Sequence, residues 1–186
     1  MLGEDCYGRP REWIDERFLI IERFARLNSI AVIDALTAEQ CDVLVSSDRS
    51  LRNPRLSPDR EWLAFDSTRP GEPSTVMVAR FTRDGLMSEA EWIPVDQRSS
   101  HPFWSVDGHL LYYVPTGVNP MIRTALRARR FSAQSGAPDG DPIAAYSSTE
   151  MVMPAFLPGT APLGIPGQIL FVLGDFRGDV WMMDLE

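Results

Sequence analysis

The chain contains no lysine: all 18 of its basic residues are arginine, set against 26 acidic ones for a formal charge of −8. So acidic a chain has no general electrostatic pull toward nucleic acid or an anionic lipid surface, whose phosphates it repels. Cysteine is equally scarce. Cys6 and Cys41 are too few and too far apart for a zinc pattern or a disulfide framework, and they read as free or buried thiols. Histidine occurs only at His101 and His109, each beside turn-forming residues, and both are expected at turns. No Gly-x-Ser-x-Gly elbow occurs, so no nucleophile–base pair is visible. Two His and two Cys make no transition-metal site without several carboxylates. Gly159, Gly164 and Gly167 alternate with Pro158, Pro162 and Pro166, which removes the amides that a phosphate loop needs. The 26 acids single out no carboxylate pair for glycoside hydrolysis. No cofactor is expected.

Long apolar runs are also missing. The longest aliphatic run near the start, Phe18 to Ile21, falls far below the roughly 18 residues of a spanning helix. The opening Met1-Leu2-Gly3-Glu4-Asp5-Cys6 is acidic and short, so no export signal is read, and the compartment is left open.

What is present is a soluble, core-forming composition, 44% hydrophobic and 24% charged, and a repeat. A proline followed five residues later by aspartate occurs at Pro10/Asp15, Pro54/Asp59 and Pro102/Asp107. Each pair precedes an apolar run: Phe18 to Ile21, Trp62 to Phe65, and Leu110 to Val114. A degenerate fourth copy starts at Pro154, and its run Ile169 to Val172 follows a Pro/Gly-rich insertion, Pro158 to Gly167. A spacing in the 40s is the length of four short strands, one propeller blade. The second unit reads as strands at Arg55-Leu56, Trp62–Asp66, Thr75–Phe81 and Glu91–Val95, and the third at Phe103-Trp104, Leu110–Val114, Met121–Leu126 and Pro142–Tyr146. β-branched and aromatic residues fill the strands, and Gly, Pro, Asp and Ser the turns. Ile14, Phe18, Ile21 and Ala25 also fit a helical period, but the repeat register favours a strand at Phe18 to Ile21.

Leu56-Ser57-Pro58-Asp59 before Glu61 to Phe65, and Trp104-Ser105-Val106-Asp107-Gly108 before Leu110 to Tyr113, resemble the WD-like repeats of TolB-type β-propellers. Arg60 stands where the family has Gly, which allows a different turn there. The resemblance implies an all-β fold of about four four-stranded antiparallel blades, the last incomplete, with the chain a C-terminal part of a larger bacterial propeller. The units fall at about 10–53, 54–101, 102–153 and 154–186, after an N-terminal tail of residues 1–9.

The signature residues Ser57, Asp59, Ser105 and Asp107 are expected to be structural, holding the turn between the first two strands of a blade. The one basic cluster, with Arg123, Arg127 and Arg129 on one side of a strand by period two, is a candidate site for an anion or partner. Its alternative is an outer strand ion-paired with acids such as Glu89 and Glu91. The insertion at Pro158 to Gly167 is a second candidate, as a binding loop. Open edges and apolar outer faces, including parts of Phe18, Ile20 and Phe171, predict association with further blades or a second copy. The functional expectation is a non-enzymatic scaffold that binds a protein or ligand. The alternative is the propeller portion of a prolyl-oligopeptidase-like serine peptidase or another propeller enzyme.

Overall fold

A computed structural model of the chain describes residues 8–23, 29–116, 124–148, 163–165 and 168–170. Three four-stranded antiparallel sheets follow one another, each formed by consecutive strands in chain order. The first contains β1 (Gly8–Trp13), β2 (Phe18–Arg23), β3 (Ser29–Asp34) and β4 (Gln40–Val45). The second contains β5 (Ser50–Leu56), β6 (Trp62–Thr68), β7 (Thr75–Arg80) and β8 (Ile93–Gln97). A 3-10 turn at Glu89–Glu91 precedes β8, where a strand start was expected. The third contains β9 (Ser99–Trp104), β10 (Leu110–Pro115), β11 (Thr124–Ser132) and β12 (Ala137–Ser148). Phe18–Arg23 is a strand, not a helix.

Side-chain alternation stacks the sheets. Along β6, Leu63 and Phe65 join Ile20, Ile30, Val32 and Leu44 of the first sheet in one core, with Leu51, Met77 and Trp92. Trp62 and Ala64, one residue out of phase, join Trp104, Leu111, Tyr113 and Phe131 in a second core against the third sheet. A strand buried on both faces must be apolar at every position, which is why Trp62-Leu63-Ala64-Phe65 is an unbroken run. Each such side chain contributes about 1.5–3 kcal/mol on burial. The first strands β1, β5 and β9 lie against one another, which places them at the inner end of the stack.

Three expectations need correction. Ile20 is not on an outer face: period two points it, with Phe18, toward the second sheet, and it is fully buried. The face turned away carries Leu19, Ile21, Ala31 and Ile33. The segment read as an insertion contains a strand, β13 (Leu163–Ile165), which pairs with β14 (Gln168–Leu170) and lies near β9. Finally, each first strand begins ahead of its proline anchor, so Gly8 and Arg9, assigned to a tail, already pair with Arg23 and Glu22. Phe171 and the expected missing outer strand of the fourth unit lie outside the described residues.

Candidate functional site

The inner strands carry a repeated irregularity. Trp13, Leu56 and Trp104 pair with Leu19, Leu63 and Leu111, which makes these positions equivalent. Three residues earlier stand Pro10, Asn53 and His101, each at a register shift of the ladder. Asn53 and His101 have φ of 51° and 55°, the left-handed region that one class of bulge uses. Pro10 therefore matches Asn53 and His101, not Pro54 and Pro102. The first blade's turn is one residue shorter, with Ile14 N–H reaching the Phe18 carbonyl where Ser57 reaches Trp62, so the same Pro-to-Asp spacing spans a different register.

The bulges are held by acids at equivalent positions of β2 and β6. Glu22 Oε1 accepts the Asn53 backbone N–H, and Asp66 Oδ1 accepts that of His101 at 3.0 Å. Each carboxylate thus ties its own blade to the next. Asp66 also accepts from Asn53 Nδ2 at 2.7 Å, and Glu22 from Arg11 at 2.5 Å. Both acids are almost completely buried, at 0% and 4% exposure. Burial pushes the Asp66 carboxyl up to about 7, against the lowering effect of its hydrogen bonds. His101, expected at a turn, lies inside β9, because the bulge gives a strand residue the turn-like φ. Burial, with Arg11 and Arg55 nearby, lowers its pKa. Its Nδ1 lies 2.9 Å from Ser100 Oγ, but Asp66 takes the backbone N–H and no carboxylate orients the ring. His109 is in the turn after Gly108 and exposed.

Above this cluster, at the ends of β1, β5 and β9, lies a cavity of about 350 Å³ lined by Glu12, Trp13, Arg55, Arg60, Phe103 and Trp104, among others. Its floor is made of signature turns. Ser57 Oγ accepts the Trp62 N–H and donates to Asp59, whose Oδ1 accepts the Glu61 N–H. Ser105 Oγ accepts the Leu110 N–H and donates to Asp107, whose Oδ1 accepts the His109 N–H. Arg60 and Gly108 bond to the Ser57 and Ser105 carbonyls in the same way, with φ of 63° and 72°. The turn is therefore of one type in both blades, and Arg60 adopts the conformation that glycine takes at no steric cost. Trp104 donates its indole N–H to the Arg55 carbonyl and is 7% exposed, whereas the equivalent Trp13 is 58% exposed. Glu12 Oε2 accepts the Leu56 N–H at 2.9 Å. Burial raises the Glu12 pKa and lowers that of Arg55.

The two described arginines of the basic cluster both have partners within the chain. Arg123 lies outside the described residues. Arg127 pairs with Asp96 at 3.8 Å, and Arg129 donates to the Val95 and Gly140 carbonyls, so β11 is strapped to β8 of the preceding sheet. β11 is also an inner strand of its sheet, flanked by β10 and β12. Glu89 pairs instead with Arg49 at 2.6 Å. Glu22 and Asp66 were overlooked, although an acid directly follows the apolar run in both repeats; Arg55 and Glu12 carried no such signal. Among the described residues no group of three or more His, Cys, Asp or Glu could hold a metal ion, and no helix is long and apolar enough to cross a membrane.

Stacked four-stranded antiparallel sheets with their first strands innermost are β-propeller blades. No family model matches the chain, and no curated protein matches it significantly. Solved structures do. A puromycin-hydrolyzing peptidase from Mycobacterium tuberculosis superposes with TM-score 0.60 at 12% identity, over 85% of this chain and 25% of its own. A TolB from Agrobacterium tumefaciens gives 0.58 at 16% identity, over 80% of this chain and 52% of its own. TolB from Acinetobacter baumannii gives 0.53 at 15% identity, over 81% and 38% respectively. The chain thus resembles TolB and peptidase propellers in fold, and spans from about a quarter to about half of their lengths.

Proposed function

We propose that the chain is a non-enzymatic scaffold module, part of a larger bacterial propeller protein, that holds a protein or peptide ligand in the cavity at the ends of β1, β5 and β9. The observation that carries this reading is the cavity itself. Residues from three blades line it, and it presents a largely exposed Trp13. Exposed aromatics in a concave site are favoured anchors for a peptide. Hydrolysis is not supported by the one Ser–His contact, because the acid that would orient the imidazole is bound to the backbone. Further blades, or a second copy, are proposed as neighbours, because the chain spans only a quarter to a half of the propeller proteins it resembles.

The test is selection from a random peptide library on the full chain, followed by binding to Trp13→Ala. Selected peptides should lose affinity in the variant, and ester, peptide and glycoside substrates should give background rates. Peptides indifferent to Trp13, or turnover abolished by His101→Ala, would reject the reading. A second reading, the propeller portion of a serine peptidase, is favoured by the likeness to the peptidase. A nucleophile-elbow domain in the same reading frame would support it. Sedimentation of the chain alone decides self-association: a monodisperse monomer at all concentrations removes the second copy.

A further inference from the structure

The cavity between the first three blades is rich in donors and nearly empty of acceptors. Arg55 has no hydrogen bond or ion pair from its guanidinium, and neither has Arg60; the Trp13 indole N–H also lacks an acceptor. Three other described arginines share that state, namely Arg60, Arg98 and Arg130, but all three are exposed, whereas Arg55 is half-buried. A guanidinium partly withdrawn from water without a hydrogen-bond acceptor forgoes its strongest interactions, so an acceptor reaching it would be bound without displacing an existing partner.

The acceptors that line the same space are already engaged. The Arg55 carbonyl takes the Trp104 indole, Ser57 and Ser105 Oγ take backbone amides, and Glu12 Oε2 takes the Leu56 N–H. Glu12 keeps one oxygen free, and it and, more weakly, Glu22 attract Arg55 through space without a contact ion pair. Glu12 is the carboxylate that lines the cavity; Asp59 and Asp107 are held by the turns of its floor, and Asp15 acts on Arg60 from outside it. Beside the donors stand the apolar surfaces of Phe103 and Val106.

We propose that Arg55, supported by Arg60 and the Trp13 indole, is a receptor for a carboxylate group of a peptide, with the neighbouring apolar side chain of that peptide lying against Phe103 and Val106. This rests on the binding-module reading and names its ligand chemistry. The planar guanidinium can take a carboxylate through two parallel hydrogen bonds, so the site distinguishes it from a neutral amide of the same size. The carboxylate can come from a chain terminus or from an Asp or Glu side chain, and the chemistry is the same.

The experiment measures fluorescence anisotropy of three labelled tetrapeptides on the full chain: Gly-Ala-Leu-Leu with a free C-terminal carboxylate, the same peptide as its C-terminal amide, and Gly-Ala-Glu-Leu as its amide. At least one carboxylate peptide should bind ~10-fold or more tighter than the neutral amide, the scale of a charge-assisted hydrogen bond. Preference for the first peptide assigns a chain terminus, and preference for the third assigns a side chain. Arg55→Gln should erase the preference, with thermal unfolding confirming that the variant folds. Arg60→Gln, in an exposed turn, should reduce it several-fold. Three peptides that bind alike and depend on Trp13 would overturn the carboxylate assignment while leaving the cavity as a peptide site. A preference unchanged in Arg55→Gln, or displacement by inorganic phosphate at lower concentration than by any peptide, overturns it as well. Absence of binding in all three arms overturns this assignment, and the peptide-cavity reading also fails if library-selected peptides ignore Trp13.

Discussion

The Asp66 carboxylate accepts the backbone N–H of His101 at 3.0 Å, and in doing so joins the second strand of one blade to the bulged first strand of the next. Glu22 and Asn53 stand in the same relationship one blade earlier. In the third blade Val114 occupies the equivalent position, so the device joins the first sheet to the second and the second to the third, and ends there.

The first prediction follows from the buried Asp66 carboxyl, pushed up to about 7 chiefly by desolvation, against 3.8 for the free group. The folded state therefore holds this proton more tightly than the unfolded state. Its stabilising contribution is full below the unfolded value and is lost as pH rises through the folded one, at up to about 1.4 kcal/mol per pH unit between them. Glu12, also raised by burial, acts in the same sense. Asp34, held far below its usual range by the Arg17 guanidinium, acts in the opposite sense only where the pH falls below 3.8, and His101, lowered by burial, opposes Asp66 over a narrower range just below 6.5. Urea unfolding at about pH 5 and about pH 7.5 should show higher stability at the lower value, and Asp66→Asn should flatten the difference. An undiminished pH slope in the variant would refute the assignment.

Two glycines with nearly equal backbone angles should respond very differently to alanine. Gly136 and Gly140 have φ of 67° and 68°. A Cβ on Gly140 meets open space, whereas one on Gly136 would fall within the indole ring of Trp62. Gly140→Ala should cost about 1 kcal/mol, the penalty of the left-handed conformation alone. Gly136→Ala should cost at least about 2 kcal/mol more, because the buried Trp62 must move. Chemical denaturation of both variants checks the gap.

Asp107 anchors its turn through the Ser105 hydroxyl and the His109 N–H. Asp107→Ala should destabilise the chain by on the order of 1 kcal/mol, and Asp107→Asn, which keeps an acceptor, by less. Equal losses in both variants would show that the carboxylate's charge, not its geometry, holds the turn.

The arginines of β11 should separate clearly. Arg127 is an exposed partner of Asp96 at 3.8 Å, and Arg127→Ala should change stability by no more than about 0.5 kcal/mol. Arg129 donates to two carbonyls, one of them in the preceding blade, and Arg129→Ala should cost about 1–3 kcal/mol. Thermal melts of the two variants decide this, and neither substitution should alter anion binding.

The blade pattern was legible because its causes are local. Trp62-Leu63-Ala64-Phe65 must be apolar throughout to face two neighbours, and Ser57 with Asp59 or Ser105 with Asp107 make turns from residues at most five positions apart. The same locality misled at Pro10. Its spacing to Asp15 matches the other copies, but only strand pairing reveals that the first turn is a residue shorter.

What the amino-acid order determined by itself, then, is the sequence of strands, their alternation and the hydrogen-bonded turns between them, since each depends on neighbours within a few residues. Which charges remain available was decided by the tertiary structure alone. Arg127 and Arg129 look like a site along the chain but are engaged by Asp96 and Val95. Arg55 looks ordinary, yet it is left without an acceptor in a cavity that it shares with Glu12 and Phe103. Burial and partnership are properties of side chains that the stacking of blades brings together from 31 residues apart, as for Asp96 and Arg127, or more, and no local pattern encodes them.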